Sequence, residues 1–364
     1  MRIGFDISKA FGHRDGIGVF SAGLLGALVD VRRPDDELWL FDPLGTVDPA
    51  APHVLEAPAL AADGVELRAG GPSPGDGLDV FHANTWVQPP GLDAPTLFTC
   101  YDLTVLTHPE CHTVHNALHC LTGVLEARLA GARFLAISEA TAEALAGELE
   151  VPRESIEVIY PGVPGRFRPS QGAAERLEAQ GIEGQGSYIL AVGTLEPRKN
   201  MPRLLEAYGA LPEALRRAHP LLLVGATGWG DSTQLDDLLA RPELATVQRL
   251  GSVDDDTLVD LYSAATVFAY PSLAEGFGLP ILEAMACHTP VLTSAGGATA
   301  EVAADAAVLV DPLDVAAISA GLAEILGDTA RHDRLVDAGH RRAEDFSWRS
   351  TAEQVLDLYR RMLP

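Results

Sequence analysis

Short apolar runs alternate with helical patterns along the whole chain, and that alternation confines it to parallel α/β architecture. R-I-G-F-D, E-L-W-L-F, D-V-F-H-A, T-L-F-T-C-Y-D and F-L-A-I-S fall in the first half. Y-I-L-A-V-G, L-L-L-V-G, T-V-F-A-Y, P-V-L-T-S and A-V-L-V-D fall in the second. Short buried strands, each followed by a helix, belong to parallel sheets covered on both faces. Two such series in 364 residues imply two Rossmann-like domains. The breaker-rich run Y-P-G-V-P-G-R-F-R-P-S-Q-G, followed by G-I-E-G-Q-G-S, marks the boundary, so the expected domains are 1–165 and 166–347. Residues 348–364 carry helical spacing through Trp348, Val355, Leu358 or Tyr359, and Met362.

Charge narrows the function. A net charge of −25 opposes broad nucleic-acid binding and whole-surface docking on anionic lipid. No apolar run approaches the ~20 residues of a membrane span, and M-R-I-G-F-D reads as a first strand rather than a signal peptide. Cys100, Cys111, Cys120 and Cys287 form neither C-x-x-C nor a disulfide framework. The expectation is a cytoplasmic protein with at most peripheral contact at the inner face of the membrane.

In so acidic a chain, local motifs stand out. The stretch E-G-F-G-L-P-I-L-E runs from Glu275 to Glu283 and reads as strand, tight loop and helix start. Gly276, Phe277, Gly278 and Leu279 form the loop, whose backbone N–H groups suit a phosphate. Pro280 fits the first helical turn. Glu275 on the loop and Glu283 in the first turn can accept from sugar or ribose hydroxyls. The plain alternative is a capped helix with an incidental acid at each end. A second motif, A-V-G-T-L-E-P-R-K-N, places Gly193 and Thr194 after a strand, with Arg198 and Lys199 at a helix start. Cations there oppose the helix dipole, which a bound anion would explain; a solvated basic pair is the alternative. A third, G-H-R-D-G-I-G-V-F, puts Gly16 and Gly18 where a helix opens after the first strand, or makes an ordinary turn. It is neither a dinucleotide fingerprint nor a P-loop.

The long run Y-P-S-L-A-E-G-F-G-L-P-I-L-E-A-M-A-C-H-T-P-V, together with E-P-R-K-N and G-I-G, resembles the retaining, nucleotide-sugar-dependent glycosyltransferases of family 4. The resemblance implies the GT-B fold, two Rossmann-like domains whose parallel sheets face a central cleft. It also implies an acceptor-binding first domain, a nucleotide-sugar-binding second domain, and a terminal helix that returns to the first. Lys199, with Arg198 as the second charge, would hold the donor phosphate, Glu275 the donor sugar and Glu283 the ribose. Gly16 and Gly18 would face the diphosphate, and Gly251 to Val253 the base. No metal or other cofactor is expected. The pattern is similar to that of mannosyltransferases, which makes GDP-mannose the first donor and leaves UDP-sugars open. The acceptor class would be a glycan, glycolipid or small natural product, in polysaccharide or lipopolysaccharide assembly.

The chain departs from that family at several positions. Tyr101, beside Asp102 at a strand end, stands where many members have histidine; it can hydrogen-bond a sugar hydroxyl but cannot take over a proton at neutral pH. Thr194 stands where many have a basic residue, and His288 where most have glycine. Histidine is among the better non-glycine choices if that position needs positive φ. Ser138 matches a family serine and equally a helix N-cap. Tyr101 and Thr194 also fit a second reading, a non-catalytic sugar-nucleotide-binding partner; a sugar-nucleotide epimerase is a third. His108, Cys111, His112, His115, His119 and Cys120 lie close in sequence, with His115 and His119 four apart and Cys111 one turn earlier; zinc accepts such ligands, but the segment lacks a known finger spacing. Helical spacing there predicts solvated histidines beside buried Leu118, Leu121 and Leu125.

Overall fold

The computed structural model describes residues 1–12, 15–48, 50–51, 54, 57–182, 187–228 and 232–363, with backbone alone for 232–234. By its internal contacts the chain divides into two units. One comprises Met1–Gly162 with Phe346–Pro364, the other Val163–Asp345. Residues 183–186, part of the expected boundary run, lie outside the described residues.

The first unit holds a parallel sheet in the order β3-β2-β1-β4-β5-β6-β7. Its strands are β1 (Arg2–Asp6), β2 (Glu37–Phe41), β3 (Val65–Leu67), β4 (Val80–Ala83), β5 (Thr96–Cys100), β6 (Arg133–Ala136) and β7 (Ile156–Val158). Every residue of the central strands β4 and β5 is buried, as a sheet covered on both faces requires. The edge strands β3 and β7 are short and half-buried. They carry no continuous apolar run, so the sequence pattern does not disclose them.

The terminal helix, Trp348–Met362, belongs to this first unit. Trp348 sets its ring edge-on to Phe20 at 5.7 Å. Thr351 donates to the Tyr160 carbonyl at 2.7 Å. The Tyr359 hydroxyl lies 2.6 Å from Nδ1 of His82, whose Nε2 is 2.7 Å from the Thr99 hydroxyl. Burial lowers the His82 pKa to about 3, so the ring is neutral and both nitrogens are used.

The helix Val114–Leu129 departs from expectation. Its buried face is Cys120, Gly123, Val124 and Ala127, whereas Leu118 and Leu125 are 61% and 41% exposed, and Val114 and Leu129 77% and 87%. The reason is Gly123: a Cβ there would stand 2.1 Å from the Trp86 carbonyl oxygen. The helix therefore approaches through its small residues, and its large ones face outward. His115 and His119 are exposed, as expected. Among the described residues no three His, Cys, Asp or Glu side chains gather to hold a metal ion, and no helix is long and apolar enough to cross a membrane.

The second unit repeats the logic. Its strands are β8 (Ile189–Val192), β9 (Leu221–Val224), β10 (Val247–Gly251), β11 (Val267–Tyr270), β12 (Val291–Ser294) and β13 (Val308–Val310). They run parallel in the order β10-β9-β8-β11-β12-β13. Leu204, Leu205 and Tyr208 of the helix Met201–Gly209 cover one face with Ile318 and Leu322 of the helix Val315–Gly327. In both sheets the strand order reverses direction once, between β1 and β4 and between β8 and β11. Loops leaving such neighbouring strands diverge to opposite faces and open a crevice at the carboxyl ends of the strands.

Gly162 tests the seat of the terminal helix. A Cβ on it would lie 2.1 Å from the Trp348 backbone nitrogen, and backbone cannot swing aside as a side chain can. Gly162→Ala should lower the stability of the first unit by about 1–3 kcal/mol, read as an earlier urea midpoint.

Candidate active site

The loops leaving β8 and β11, on either side of the second sheet's reversal point, carry two of the sequence motifs. After β8 the chain turns through Gly193, whose φ of 147° favours glycine. A Cβ there would stand 3.3 Å from Cε of Lys199, so the bare backbone forms the floor on which the lysine stem lies. Pro197–Lys199 is a single 3₁₀ turn, and Asn200 in the left-handed region (φ 59°) leads into the helix Met201–Gly209. Asn200 is buried and donates to the carbonyls of Pro271 and Pro312 at 2.9 and 2.7 Å. The Leu273 amide donates to the Arg198 carbonyl at 2.8 Å. These bonds clasp the lysine turn to the loops after β11 and β13.

The clasp brings four charges together. Lys199 Nζ donates to Glu275 Oε1 at 2.7 Å and to the Tyr270 hydroxyl at 2.6 Å. Arg198 is paired with Glu275 Oε2, donates to Glu196 Oε1 at 2.7 Å and to the Ala274 carbonyl at 3.1 Å. The cations thus precede the helix, and carboxylates answer them. The sequence alone suggests a bound anion to explain their position; here Glu196 and Glu275 also pair with them. Burial alone would raise the Glu275 pKa, but the Arg198 and Lys199 charges overcome it and hold the carboxyl at about 2. Burial lowers the Lys199 pKa, an effect Glu275 opposes.

Glu283 is placed differently from the sequence reading. The helix Leu279–Ala286 opens at Gly278, in the left-handed region, with Pro280 in its first turn. Glu283 therefore stands in the second turn, not the first. It is buried, and the Tyr262 hydroxyl donates to its Oε2 at 3.0 Å. Burial raises its pKa to about 7, against the opposing Tyr262 hydrogen bond and Arg166 charge. Phe277 is buried, and Leu279 is half-buried at the helix start. Thr194 accepts at its carbonyl from the Glu196 amide, and Val253, half-buried, follows β10 among exposed neighbours. His288 has a φ of 65°, in the left-handed region, and it sets its ring against His340 at 4.3 Å.

The first unit holds the remaining sites. Gly16 and Gly18 open the helix Gly16–Val31, capped by Asp15, which accepts from the Gly18 amide at 2.7 Å. Tyr101 is buried; its hydroxyl lies 2.9 Å from both Asn84 Oδ1 and the Asn84 carbonyl, and its ring is edge-on to Phe20 and Trp86. That hydroxyl is engaged inside the unit rather than presented to a ligand. Asp102 Oδ1 accepts from the Thr104 amide and hydroxyl at 3.1 and 2.8 Å. Ser138 is the N-cap of the helix Glu139–Glu148.

Glu196, Tyr262, Tyr270 and Asn84 were not singled out in the sequence. Glu196 and Tyr270 lie inside the motifs E-P-R-K-N and Y-P-S, so motif membership was the available signal. Tyr262 and Asn84 had none, since their roles depend on contacts distant along the chain. The buried Glu283 carboxyl makes a pH prediction. A folded pKa near 7, above the ordinary carboxyl value, gives stability that is full at low pH and lost as pH rises from about 4.5 to about 7, by about 3 kcal/mol. Glu283→Gln should abolish that loss, measured as unfolding free energy against pH in the two proteins.

Comparison with known proteins agrees with this architecture. Residues 174–342 match the family described as glycosyl transferases group 1. O-antigen chain mannosyltransferase B of Escherichia coli is 32% identical over 283 residues, covering 77% of this chain and 74% of that protein. A D-inositol 3-phosphate glycosyltransferase of Kineococcus radiotolerans is 34% identical over 57% of this chain; the match spans only 52% of that relative. Among solved structures, Anabaena Alr3699/HepE in complex with UDP and glucose superposes with a TM-score of 0.73 at 20% identity, covering 98% of this chain and 99% of that one. The chain belongs to the glycosyl transferases group 1 family and is a glycosyltransferase of the GT-B fold.

Proposed function

We propose that this glycosyltransferase moves a sugar, mannose from GDP-mannose first among donors, onto a glycan, glycolipid or natural-product acceptor, with retention of anomeric configuration and no resident metal. The observation that carries the reading is the pair of half-buried cations, Lys199 and Arg198, held beside Glu275 at the second sheet's reversal point. The 32% identity to a mannosyltransferase supports mannose. The UDP and glucose in the Anabaena neighbour keep UDP-sugars as the competing donors.

The chemistry follows from charge. When the anomeric C–O bond of a nucleoside-diphosphate sugar breaks, negative charge grows on the leaving diphosphate. Lys199, Arg198 and the backbone N–H groups near Gly278 stabilise it there, most strongly where water is excluded. Glu275, ionised at neutral pH, accepts from donor-sugar hydroxyls and fixes the ring, and Glu283 accepts from the ribose. The acceptor oxygen attacks from the face the diphosphate leaves, and a phosphate oxygen takes its proton. The second unit then binds the donor and the first unit the acceptor.

A nucleotide-sugar panel read by thermal shift tests the donor. GDP-mannose should raise the melting temperature by mass action; no shift with any GDP-, UDP- or ADP-sugar would sink the assignment. Donor turnover tests the cation. Lys199→Ala should slow release of the nucleoside diphosphate by on the order of 10²–10³-fold. The native rate in that variant would refute the role given to Lys199. Incubating the donor alone separates transfer from epimerisation, since only an epimerase converts the sugar while leaving the nucleotide attached.

A further inference from the structure

Tyr270 ends β11, the strand beside the reversal point, and is almost wholly buried. Its ring is stacked on Phe268 at 5.5 Å with an interplanar angle of 24°. Its carbonyl accepts from the Thr293 hydroxyl of the neighbouring strand at 2.8 Å. Strand pleat and stacking together fix where its hydroxyl points. That hydroxyl lies 2.6 Å from Lys199 Nζ, and the ring centroid 4.9 Å from the same atom. The lysine stem therefore lies on the Gly193 backbone, and its head is held between the Tyr270 hydroxyl and Glu275.

We infer that Tyr270 is a positioning residue for sugar transfer, its hydroxyl and ring fixing where the Lys199 ammonium meets the leaving diphosphate. This rests on the proposed role of Lys199. A lysine stem has four rotatable carbons, and a charge that wanders stabilises a transition state poorly. Glu275 alone is an unsuitable anchor. It is shared with Arg198, it cancels part of the charge it holds, and the proposed mechanism needs it for donor hydroxyls. A phenol holds the ammonium without cancelling it. Burial, with the Glu275 charge, pushes the Tyr270 pKa well above its ordinary value, so it stays neutral throughout the working pH range. The charged groups facing Lys199 are Glu275, Arg198 and Glu196, and none of them is a neutral acceptor.

Tyr270→Phe keeps the ring and removes the anchor. The assay is release of GDP from GDP-mannose, or of the matching diphosphate from whichever nucleotide sugar stabilises the protein. The expected result is a kcat lower by about 10- to 100-fold with donor KM changed by less than about threefold. The basic limb of the pH profile should move to lower pH, because the ammonium has lost an acceptor. In the Lys199→Ala background, Tyr270→Phe should cost nothing more, since the hydroxyl acts through the lysine. An unchanged kcat and basic limb, or a loss that simply adds to that of Lys199→Ala, would overturn the inference while leaving the role of Lys199 intact. Native turnover by Lys199→Ala itself would overturn both. Melting temperature of each variant separates lost positioning from lost fold.

Discussion

Glu275 holds the second unit's site together. One carboxylate receives both Lys199 and Arg198 across two loops that leave different strands. Each loop by itself is a short excursion from the carboxyl end of a central strand. The ion cluster, the Asn200 bonds and the Leu273 amide make them one surface. Lys199, Arg198, Glu196 and Glu275 sum to no net charge, which is how four ionised groups stay so little exposed in one place. Such a cluster adds little net stability, because desolvation offsets most of the attraction. In the proposed transfer, its worth lies in holding cations ready where a growing negative charge would otherwise need solvent to reorganise.

Small residues decide how closely the remaining parts approach. Gly193 lets the lysine stem lie on bare backbone, and Gly123 lets the helix Val114–Leu129 meet the Trp86 carbonyl. The second case inverted the reading from hydrophobic spacing. Leu118 and Leu125 form a convincing apolar stripe in sequence, but packing against Trp86 needs the face with the least bulk. A close backbone approach outranks the burial of two leucines because a steric overlap has no soft compromise.

The first unit is organised by buried hydrogen bonds. His82, Thr99, Asn84, Tyr101, Ser21 and Tyr359 connect the sheet, the first helix and the terminal helix. This network gives Tyr101 its place inside the unit. Tyr101 engages Asn84 inside the unit, which gives it a structural task. The terminal helix is anchored in the same network through Tyr359.

The alternation of apolar runs and helical patterns was enough to establish two parallel α/β units, because buried strands must be apolar along their whole length. It located the central strands and missed the edge strands β3, β7 and β10, which are only half-buried and so need no continuous apolar run. The motifs also located Glu275, Glu283, Arg198 and Lys199, since residue type and loop position are local properties. Which of these residues meet was not local. Glu275 faces the two cations, Glu283 lies in the second helical turn under Tyr262, and Tyr270 holds Lys199. These contacts join residues 21 to 77 positions apart. Sheet order brings such segments together, and strand pairing follows from the packing of the whole unit rather than from any one stretch of sequence.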